Sequence, residues 1–285
     1  MNPTLCLDTA GITFGIDLPD AAWQAPVVER YAAFAGPAGP AAAAWCVTLT
    51  HDPALGVTRA PWVHHDGPVT TLRVSDHAGR LDLAAQQAEV SAPEPARAGS
   101  ALDRLLSYIC MQALPRQGAG LLLHASGIVL DGAGYVFTGA SGRGKTTVSR
   151  LAAGRAEVGR TEVLTDENVI IQLGAAGAEL CSTPFWGHST PPELIHRVNR
   201  RAPLAAVCLL EHASDFRLDR LGPAEAIMAL LTTEKVATER ADSAAAWLAA
   251  AERLIARTPV YRLGFRPTPE LWEFLSAEFS DDSTR

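Results

Sequence analysis

One stretch of this sequence decides the fold: Gly139-Ala140-Ser141-Gly142-Arg143-Gly144-Lys145-Thr146. It satisfies the pattern G-x-x-x-x-G-K-[S/T], in which glycines let backbone N–H groups turn inward and form a concave cradle for phosphate oxygens. The lysine of this P-loop (Walker A) pattern reaches the β- and γ-phosphates, and the hydroxyl after it binds Mg²⁺. The stretch predicts that the chain binds a nucleoside triphosphate, with ATP and Mg²⁺ the expected pair, on the loop and on Thr147 behind it.

The residues on either side of the loop agree with this prediction. Tyr135–Thr138 is an apolar run that predicts a strand, and Lys145–Ala153 predicts a helix. A helix N-terminus presents unpaired N–H groups and a positive dipole end, both of which favour an anion. Upstream, residues 121–130 and the turn pair Asp131-Gly132 predict that this strand is the second arm of a hairpin.

Composition limits the classes of partner. The chain has 285 residues, 48% of them hydrophobic, and a formal net charge of −7. That charge argues against a general nucleic-acid or anionic-membrane binder, which needs clustered positive charge. The first twenty residues hold no Lys or Arg, so no secretory signal is expected, and the five cysteines form no C-x-x-C pair. We expect a cytoplasmic protein with no nucleic-acid and no membrane partner.

The first part of the chain predicts a separate module. Short alternating segments at 12–16, 46–50 and 70–74 are divided by Gly and Pro turns, a pattern typical of antiparallel β-structure. Residues 91–99 are rich in Ala and Pro and predict a linker or an exposed loop. We therefore expect a smaller β-rich domain over residues 1–95, which could dock a partner, and a P-loop domain over residues 96–285.

The P-loop domain predicts an α/β fold. Leu102, Leu105, Leu106, Ile109 and Ala113 fall at helical spacing and share one apolar face. Strands are predicted at 162–164, 169–171, 204–210 and 260–265, and helices at 224–236, at 243–257 and from 269 onward.

Two further elements carry side chains suited to phosphoryl transfer. Asp166 and Glu167 follow the loop at the distance of one helix and one returning strand. In kinases one carboxylate holds Mg²⁺ and one accepts the proton of the attacking hydroxyl, whereas an acidic pair elsewhere is often only a solvated strand end. His124, after three leucines, is either a packed strand residue or a group near the γ-phosphate, where a cation would stabilise developing charge.

Taken together, these motifs resemble the HPr kinase/phosphorylase family and its relative, phosphoenolpyruvate carboxykinase. The resemblance lies in the Ser141-Gly142 pair inside the loop, in His124 upstream of it, in the acidic pair downstream, and in the block Ser182-Thr183-Pro184-Phe185-Trp186-Gly187. It implies an HPr-kinase-like fold, with Asp166 as the first acid of the pair and Glu167 as the second, which acts as base. Because the family usually has Asp-Asp there, the assignment of the base to one carboxylate stays open.

The resemblance implies transfer of the γ-phosphoryl group of ATP to a hydroxyl, and the expected acceptor is a serine of a protein or peptide. The chain lacks the Arg-Gly-x-Gly block that serves HPr kinases after the acidic pair, so an acceptor other than HPr is expected. Phe185 and Trp186 either rim the acceptor cleft or pack in the interior. The alternatives are a small-molecule kinase and a nucleotide-sensing regulator without transfer. The sequence does not decide between ATP and GTP. It also leaves the oligomeric state open, and a homo-oligomer is one of the alternatives.

The loop generates a first prediction. Mg²⁺·ATP at 100 times its dissociation constant should stabilise the wild-type chain by about 2.7 kcal/mol through mass action, and so raise its melting temperature. Lys145→Ala should lose most of this shift, because the ammonium that meets the β- and γ-phosphates is gone. Differential scanning fluorimetry with ATP, GTP and no nucleotide measures it. Equal shifts in the wild type and the variant would show that Lys145 is not at the phosphates.

Overall fold

The computed structural model describes residues 5–36, 44–155, 161–186, 190–195, 197–233 and 241–282. The chain divides into two compact units. Unit 1 is Met1–Ala113 with Arg197–Asn199, and unit 2 is Leu114–His196 with Arg200–Arg285. The predicted boundary at 95/96 lies ahead of the first long helix, whereas the units part near that helix's end.

The described part of unit 1 contains a seven-stranded sheet in the order β1-β2-β3-β7-β6-β5-β4. Its strands are β1 Leu5–Thr9, β2 Ile12–Asp17, β3 Trp45–His51, β4 Trp62–Asp66, β5 Val69–Val74, β6 His77–Asp82 and β7 Gln87–Ala92. β3 runs parallel to both of its neighbours, and the remaining pairs are antiparallel. The three strands predicted for this region are observed as β2, β3 and β5.

Two helices belong largely to this unit. α1 (Ala21–Tyr31) begins after Asp20, whose carboxylate accepts a hydrogen bond from the Ala22 amide at 2.8 Å, and it buries Trp23, Val27 and Tyr31. α2 spans Ala98–Arg116, and all five residues of its predicted apolar face are buried. That spacing of three and four places them on one side of the helix.

The prediction of a linker or exposed loop at 91–99 is wrong at both ends of that range. Ser91 and Ala92 are the last residues of β7, where they pair with Thr50 and His51 of β3. Ala98 and Gly99 already belong to α2. Pro93 and Pro95 have no backbone N–H group, so they cannot donate the hydrogen bonds that would extend β7 or α2. The Ala- and Pro-rich composition therefore belongs to a short connection between these two elements.

Unit 2 is built on a mixed sheet whose described strands run in the order β11-β10-β8-β9-β12-β14-β13, with β11 also pairing with the start of β12. They are β8 Gly120–Leu130, β9 Ala133–Thr138, β10 Thr161–Leu173, β11 Ala178–Cys181, β12 Arg201–His212, β13 Arg217–Arg220 and β14 Val260–Phe265. β12 is parallel to β9 and to β14, and the other pairs are antiparallel. The predicted hairpin is observed as β8 and β9, with Asp131 and Gly132 both at positive φ in its turn.

The helices of unit 2 are α3 Lys145–Ala153, α4 Pro223–Thr233, α5 Ala241–Ile255 and α6 Leu271–Asp282. α3 coincides with the predicted helix, and α4 to α6 lie within three residues of the predictions at every described end. Val148 and Ala152 of α3 share a buried core with Phe137 of β9, Leu263 of β14 and Trp272 of α6. This core fixes α3, and therefore the loop in front of it, against the sheet. Among the described residues, no helix is both long and apolar enough to cross a membrane.

The two short strands predicted at 162–164 and 169–171 are wrong as separate elements. Both are parts of β10, which pairs with β8 along almost its whole length and is irregular only between Val163 and Thr165. The polar residues between the two predicted strands, from Thr165 to Asn168, are held inside β10 by this pairing. The acidic pair therefore lies in the middle of a strand instead of at its end.

The core of unit 2 provides a stability test. Trp272 is fully buried, and its ring lies edge-on to that of Phe137 with 5.8 Å between the ring centroids. Trp272→Ala should lower the free energy of unfolding by about 3–5 kcal/mol, because it leaves a large cavity. Met228 of α4 is 61% exposed, so Met228→Ala is the control and should change it by less than about 0.5 kcal/mol. Urea unfolding measures the free energy of unfolding of both variants. A small decrease of this free energy in Trp272→Ala would contradict the packing of α6.

Candidate nucleotide and metal site

The glycine-rich loop leaves the end of β9 and returns into α3. β9 lies in the interior of the sheet, between β8 and β12, so strands flank the loop on both sides. Residues 140–143 of the loop are exposed, and residues 144–147 are half-buried. The first-turn amides of a helix have no partner within the helix, and here they follow directly on the loop. This is the strand–loop–helix arrangement in which such a loop cradles phosphates.

Two glycines of the loop hold it in this shape. Gly142 and Gly144 have φ values of +81° and +102°, a region that L side chains rarely adopt. At Gly144, a Cβ atom would lie 2.6 Å from Cζ of Phe265, the last residue of β14, whereas at Gly142 nothing lies within 4 Å of that position. A glycine is therefore needed at position 144 for two reasons: its backbone has a positive φ, and the ring of Phe265 leaves no space for a Cβ atom.

A histidine also contacts the loop. The Nε2 atom of His212, the last residue of β12, lies 2.9 Å from the Gly142 carbonyl oxygen, and its ring stacks on Phe265 with 6.1 Å between centroids. The ends of β12 and β14 thus support the loop from the side away from β8.

Lys145 is placed over the loop. Its Nζ atom donates a hydrogen bond of 2.8 Å to the Gly139 carbonyl oxygen, at the other end of the loop. The backbone of α3 starts regularly, with the Val148 amide donating to the Gly144 carbonyl at 2.9 Å. The ammonium therefore bridges the two ends of the cradle, where it can meet phosphate oxygens.

Asp166 is buried beside α3. Only 3% of the residue is exposed. Its Oδ1 atom accepts hydrogen bonds from Ser126 Oγ at 2.5 Å and from Ser149 Oγ at 2.9 Å, and its backbone carbonyl accepts one from Thr190 Oγ1 at 3.0 Å. A buried carboxylate needs such donors, since an unpaired one is costly. Asp166 is thus joined both to β8 and to the helix that follows the loop.

Glu167 and His124 form the outer part of the site. Glu167 Oε1 lies 3.5 Å from His124 Nδ1, and their side chains are 35% and 39% exposed. Glu167 has a φ of +157°, unusual for a residue with a Cβ atom, and pairs with Ala125 of β8. Burial lowers the pKa of His124, as does the charge of Lys145, while Glu167 acts in the opposite direction. Burial is the largest of these influences, so the pKa of the His124 imidazole lies below its ordinary value.

The residues predicted for the site thus fall into one region: the loop, Lys145, Asp166, Glu167 and His124 lie on β8, β9, β10 and the start of α3. The suggested aromatic rim is wrong. Phe185 is 1% exposed and Trp186 7% exposed, and Trp186 packs in the core with Val148. Of the two alternatives that the sequence leaves open, the two rings therefore take the packing role.

Sequence reasoning missed Ser126, Ser149 and His212. Two of them leave a signal in the sequence. Ser126 follows His124 by two positions, which on a strand is the same face, and Ser149 follows Thr146 by three, which on a helix is the same face. His212 gives no such signal, because its contact with the loop depends on the pairing of β12 with β9.

An open cleft of about 360 Å³ adjoins the loop on the β12 side. Its walls are Gly139, Ala140 and Arg143 of the loop, Leu209–Glu211 of β12, Arg262 of β14 and one face of α4. Arg262 forms ion pairs with Glu211 at 3.0 Å and with Glu225 at 2.7 Å, which ties α4 to the strands. The cleft leaves room beside the loop for a ligand larger than its phosphates.

The site fits Mg²⁺ held jointly by protein and phosphates. The described residues contain no group of three or more His, Cys, Asp or Glu that could hold a metal ion. Mg²⁺ in phosphoryl-transfer sites takes only one or two protein oxygens and completes its shell with phosphate and water. The hydroxyl of Thr146 and the carboxylate of Asp166 are oxygen ligands of that kind.

Comparisons with known proteins give a family and a distant structural likeness. The sequence profile of the family described as SynChlorMet cassette protein ScmC matches residues 101–279. Among solved structures, the chain is similar to the Hpr(Ser) kinase/phosphatase from Coxiella burnetii, with 12% identity, 57% of this chain and 99% of that chain covered, and a TM-score of 0.36. That likeness is too distant to carry an inference. No curated protein matches the chain in sequence.

The loop geometry generates a prediction that separates two glycines. Gly144→Ala combines a strained φ with the overlap against Phe265, whereas Gly142→Ala has only the strained φ. Overpacking against a close neighbour costs about 1–3 kcal/mol. Only Gly144→Ala carries this additional cost, so it should weaken ATP binding by about tenfold more than Gly142→Ala does. Phe265→Leu in the Gly144→Ala background should recover part of the loss. Calorimetric titration measures all three, and equal losses in the two single variants would contradict the contact with Phe265.

Proposed function

The chain belongs to the family of SynChlorMet cassette protein ScmC, and we propose that it is an ATP- and Mg²⁺-dependent kinase that transfers the γ-phosphoryl group to a hydroxyl. The observation that carries the proposal is a juxtaposition. The glycine-rich loop and Lys145 stand beside two carboxylates and a histidine, placed there by the pairing of β8 with β9 and β10. Positioning and electrostatic stabilisation are what phosphoryl transfer requires of a protein.

The loop and α3 bind the triphosphate in this proposal. Backbone amides of residues 139–147 surround the phosphates, and Lys145 exchanges the Gly139 carbonyl for oxygens of the β- and γ-phosphates. Thr146 and Asp166 supply the protein oxygens for Mg²⁺. When bound, the ion neutralises charge that develops on the phosphates.

Glu167 receives the proton of the acceptor. The hydroxyl oxygen forms a bond to the γ-phosphorus, the bond from that phosphorus to the β–γ bridging oxygen breaks, and ADP leaves with the electron pair. Glu167 suits the role of base because its carboxylate is partly exposed, whereas that of Asp166 is buried and already accepts two hydroxyls. His124, 3.5 Å from Glu167, limits the directions in which the glutamate can turn.

The acceptor we propose is a serine of a protein or peptide other than HPr. The chain lacks the Arg-Gly-x-Gly block after the acidic pair. The family description speaks of a cassette protein, so the products of neighbouring genes are the first acceptors to test. If those genes include a peptide-maturation cassette, a precursor peptide is the candidate. The β-rich unit 1 is the part of the chain that we propose for docking such a partner.

One experiment separates this function from its rivals. The purified chain is incubated with γ-labelled ATP, Mg²⁺ and extract of the source organism, and the labelled products are resolved. We expect label on a protein or peptide. Label on a small molecule would make the chain a small-molecule kinase, and nucleotide binding without any transfer would make it a regulator. Stoichiometric labelling of purified HPr at low enzyme concentration would contradict the proposed acceptor class.

The assignment of the base is tested at Glu167. Glu167→Gln keeps the size of the side chain and removes its basicity, so transfer should fall about 10²–10⁴-fold while ATP affinity stays nearly unchanged. Glu162 lies on the same strand and forms an ion pair with Arg200. Glu162→Gln is therefore the matched control and should keep wild-type turnover. Wild-type turnover in Glu167→Gln would show that Glu167 is not the base.

A further inference from the structure

We propose that Ser126 and Ser149 are positioning residues for Mg²⁺: together they hold one oxygen of Asp166 so that the other is presented to the ion at Thr146. The inference rests on the proposed function and names the two residues that prepare its metal site.

The geometry of the three side chains is the first support. Both hydroxyls donate to the same atom, Asp166 Oδ1, at 2.5 Å from Ser126 and 2.9 Å from Ser149. Both serines are fully buried, and they come from different elements, β8 and α3. Two donors on one oxygen fix both the position of a carboxylate and its rotation. Within the described part of the chain Oδ2 receives no hydrogen bond, so it is the oxygen left for a cation.

The position of Ser149 connects this carboxylate to the phosphate loop. Ser149 lies three residues after Thr146 on α3, so their side chains share one helix face one turn apart. Any shift of α3 moves the threonine hydroxyl and the Asp166 anchor together. The helix that begins at Lys145 therefore carries both the threonine hydroxyl and one of the two hydroxyls that anchor Asp166.

Hydroxyls that orient a metal ligand affect the affinity for the metal more than they affect the stability of the fold. Groups that orient a metal ligand typically contribute a factor of 10–100 to metal affinity when they are removed one at a time. A donor that only satisfies a buried carboxylate would instead act on stability and leave the dependence on Mg²⁺ unchanged. The two roles thus differ in a quantity that can be measured without following turnover.

The test measures equilibrium ATP binding as a function of Mg²⁺ concentration. Ser126→Ala and Ser149→Ala should each raise the Mg²⁺ concentration at half-maximal enhancement of ATP binding by about 10–100-fold. ATP binding in EDTA should stay within about twofold of the wild type. Ser126→Thr keeps the hydroxyl on a strand and should retain the wild-type dependence. In an Asp166→Asn background the serine substitutions should add little, because their common target is gone.

Thr161 provides the matched control. It lies on β10, is buried, and donates its hydroxyl to the Ala152 carbonyl of α3 at 3.0 Å. Thr161→Val therefore removes a hydroxyl link between the same strand and helix without touching Asp166, and should leave the Mg²⁺ dependence unchanged. A melting curve for each variant shows that it is folded.

The outcomes are distinguishable. Folded serine variants with wild-type Mg²⁺ dependence would overturn the positioning role and leave the kinase proposal intact. So would variants that lose ATP binding equally in EDTA and in Mg²⁺, since the damage would then lie in the loop. A wild-type chain that binds no nucleotide would overturn the proposed function itself, and this inference with it.

Discussion

The antiparallel pairing of β8 with its two neighbours decides where the chemistry of this chain lies. On one side it sets Ser126 opposite Asp166 and Ala125 opposite Glu167, and on the other it sets Ala125 opposite Thr138, the last residue of β9 before the loop. Because side chains alternate across a strand, a slip of one residue would turn Asp166 away from α3 and Glu167 towards it. The register of β8 therefore brings the glycine-rich loop and the acidic pair into one region, although they are separated in the chain by α3 and the first half of β10.

Burial gives the two adjacent acids different environments. Asp166 lies in the interior, where a carboxylate is tolerated because two hydroxyls and the anchored backbone around it compensate for lost water. Glu167, the next residue of the strand, is partly exposed, and its carboxylate lies 3.5 Å from His124 Nδ1. One acid is thus buried and hydrogen-bonded while the other is accessible, which is the difference that the proposed metal ligand and the proposed proton acceptor need.

Much of this arrangement could be predicted from the sequence, and the exceptions have a common cause. The loop, α3, the hairpin of β8 and β9 and the apolar face of α2 are local patterns of glycine, apolar period and turn residues, and the sequence predicts each of them. The continuity of β10 was missed, because polar residues in its middle resemble an interruption when the pairing with β8 is unknown. The hydroxyls of Ser126 and Ser149 meet Asp166 from positions 40 and 17 residues away. For Phe185 and Trp186 the sequence leaves a cleft rim and interior packing both open, and the structure shows that their rings are buried. Contacts between distant segments, then, are what the sequence alone could not provide.

The most direct measurement is a crystal structure of the chain with Mg²⁺ and a non-hydrolysable ATP analogue. We expect the β-phosphate within about 3 Å of several backbone nitrogens of residues 139–146, a normal hydrogen-bond distance. Lys145 Nζ should have left the Gly139 carbonyl for phosphate oxygens, and Mg²⁺ should lie between Thr146 and Asp166. An analogue bound elsewhere, with the loop empty and Lys145 still donating to Gly139, would contradict the assignment of this loop as the phosphate site.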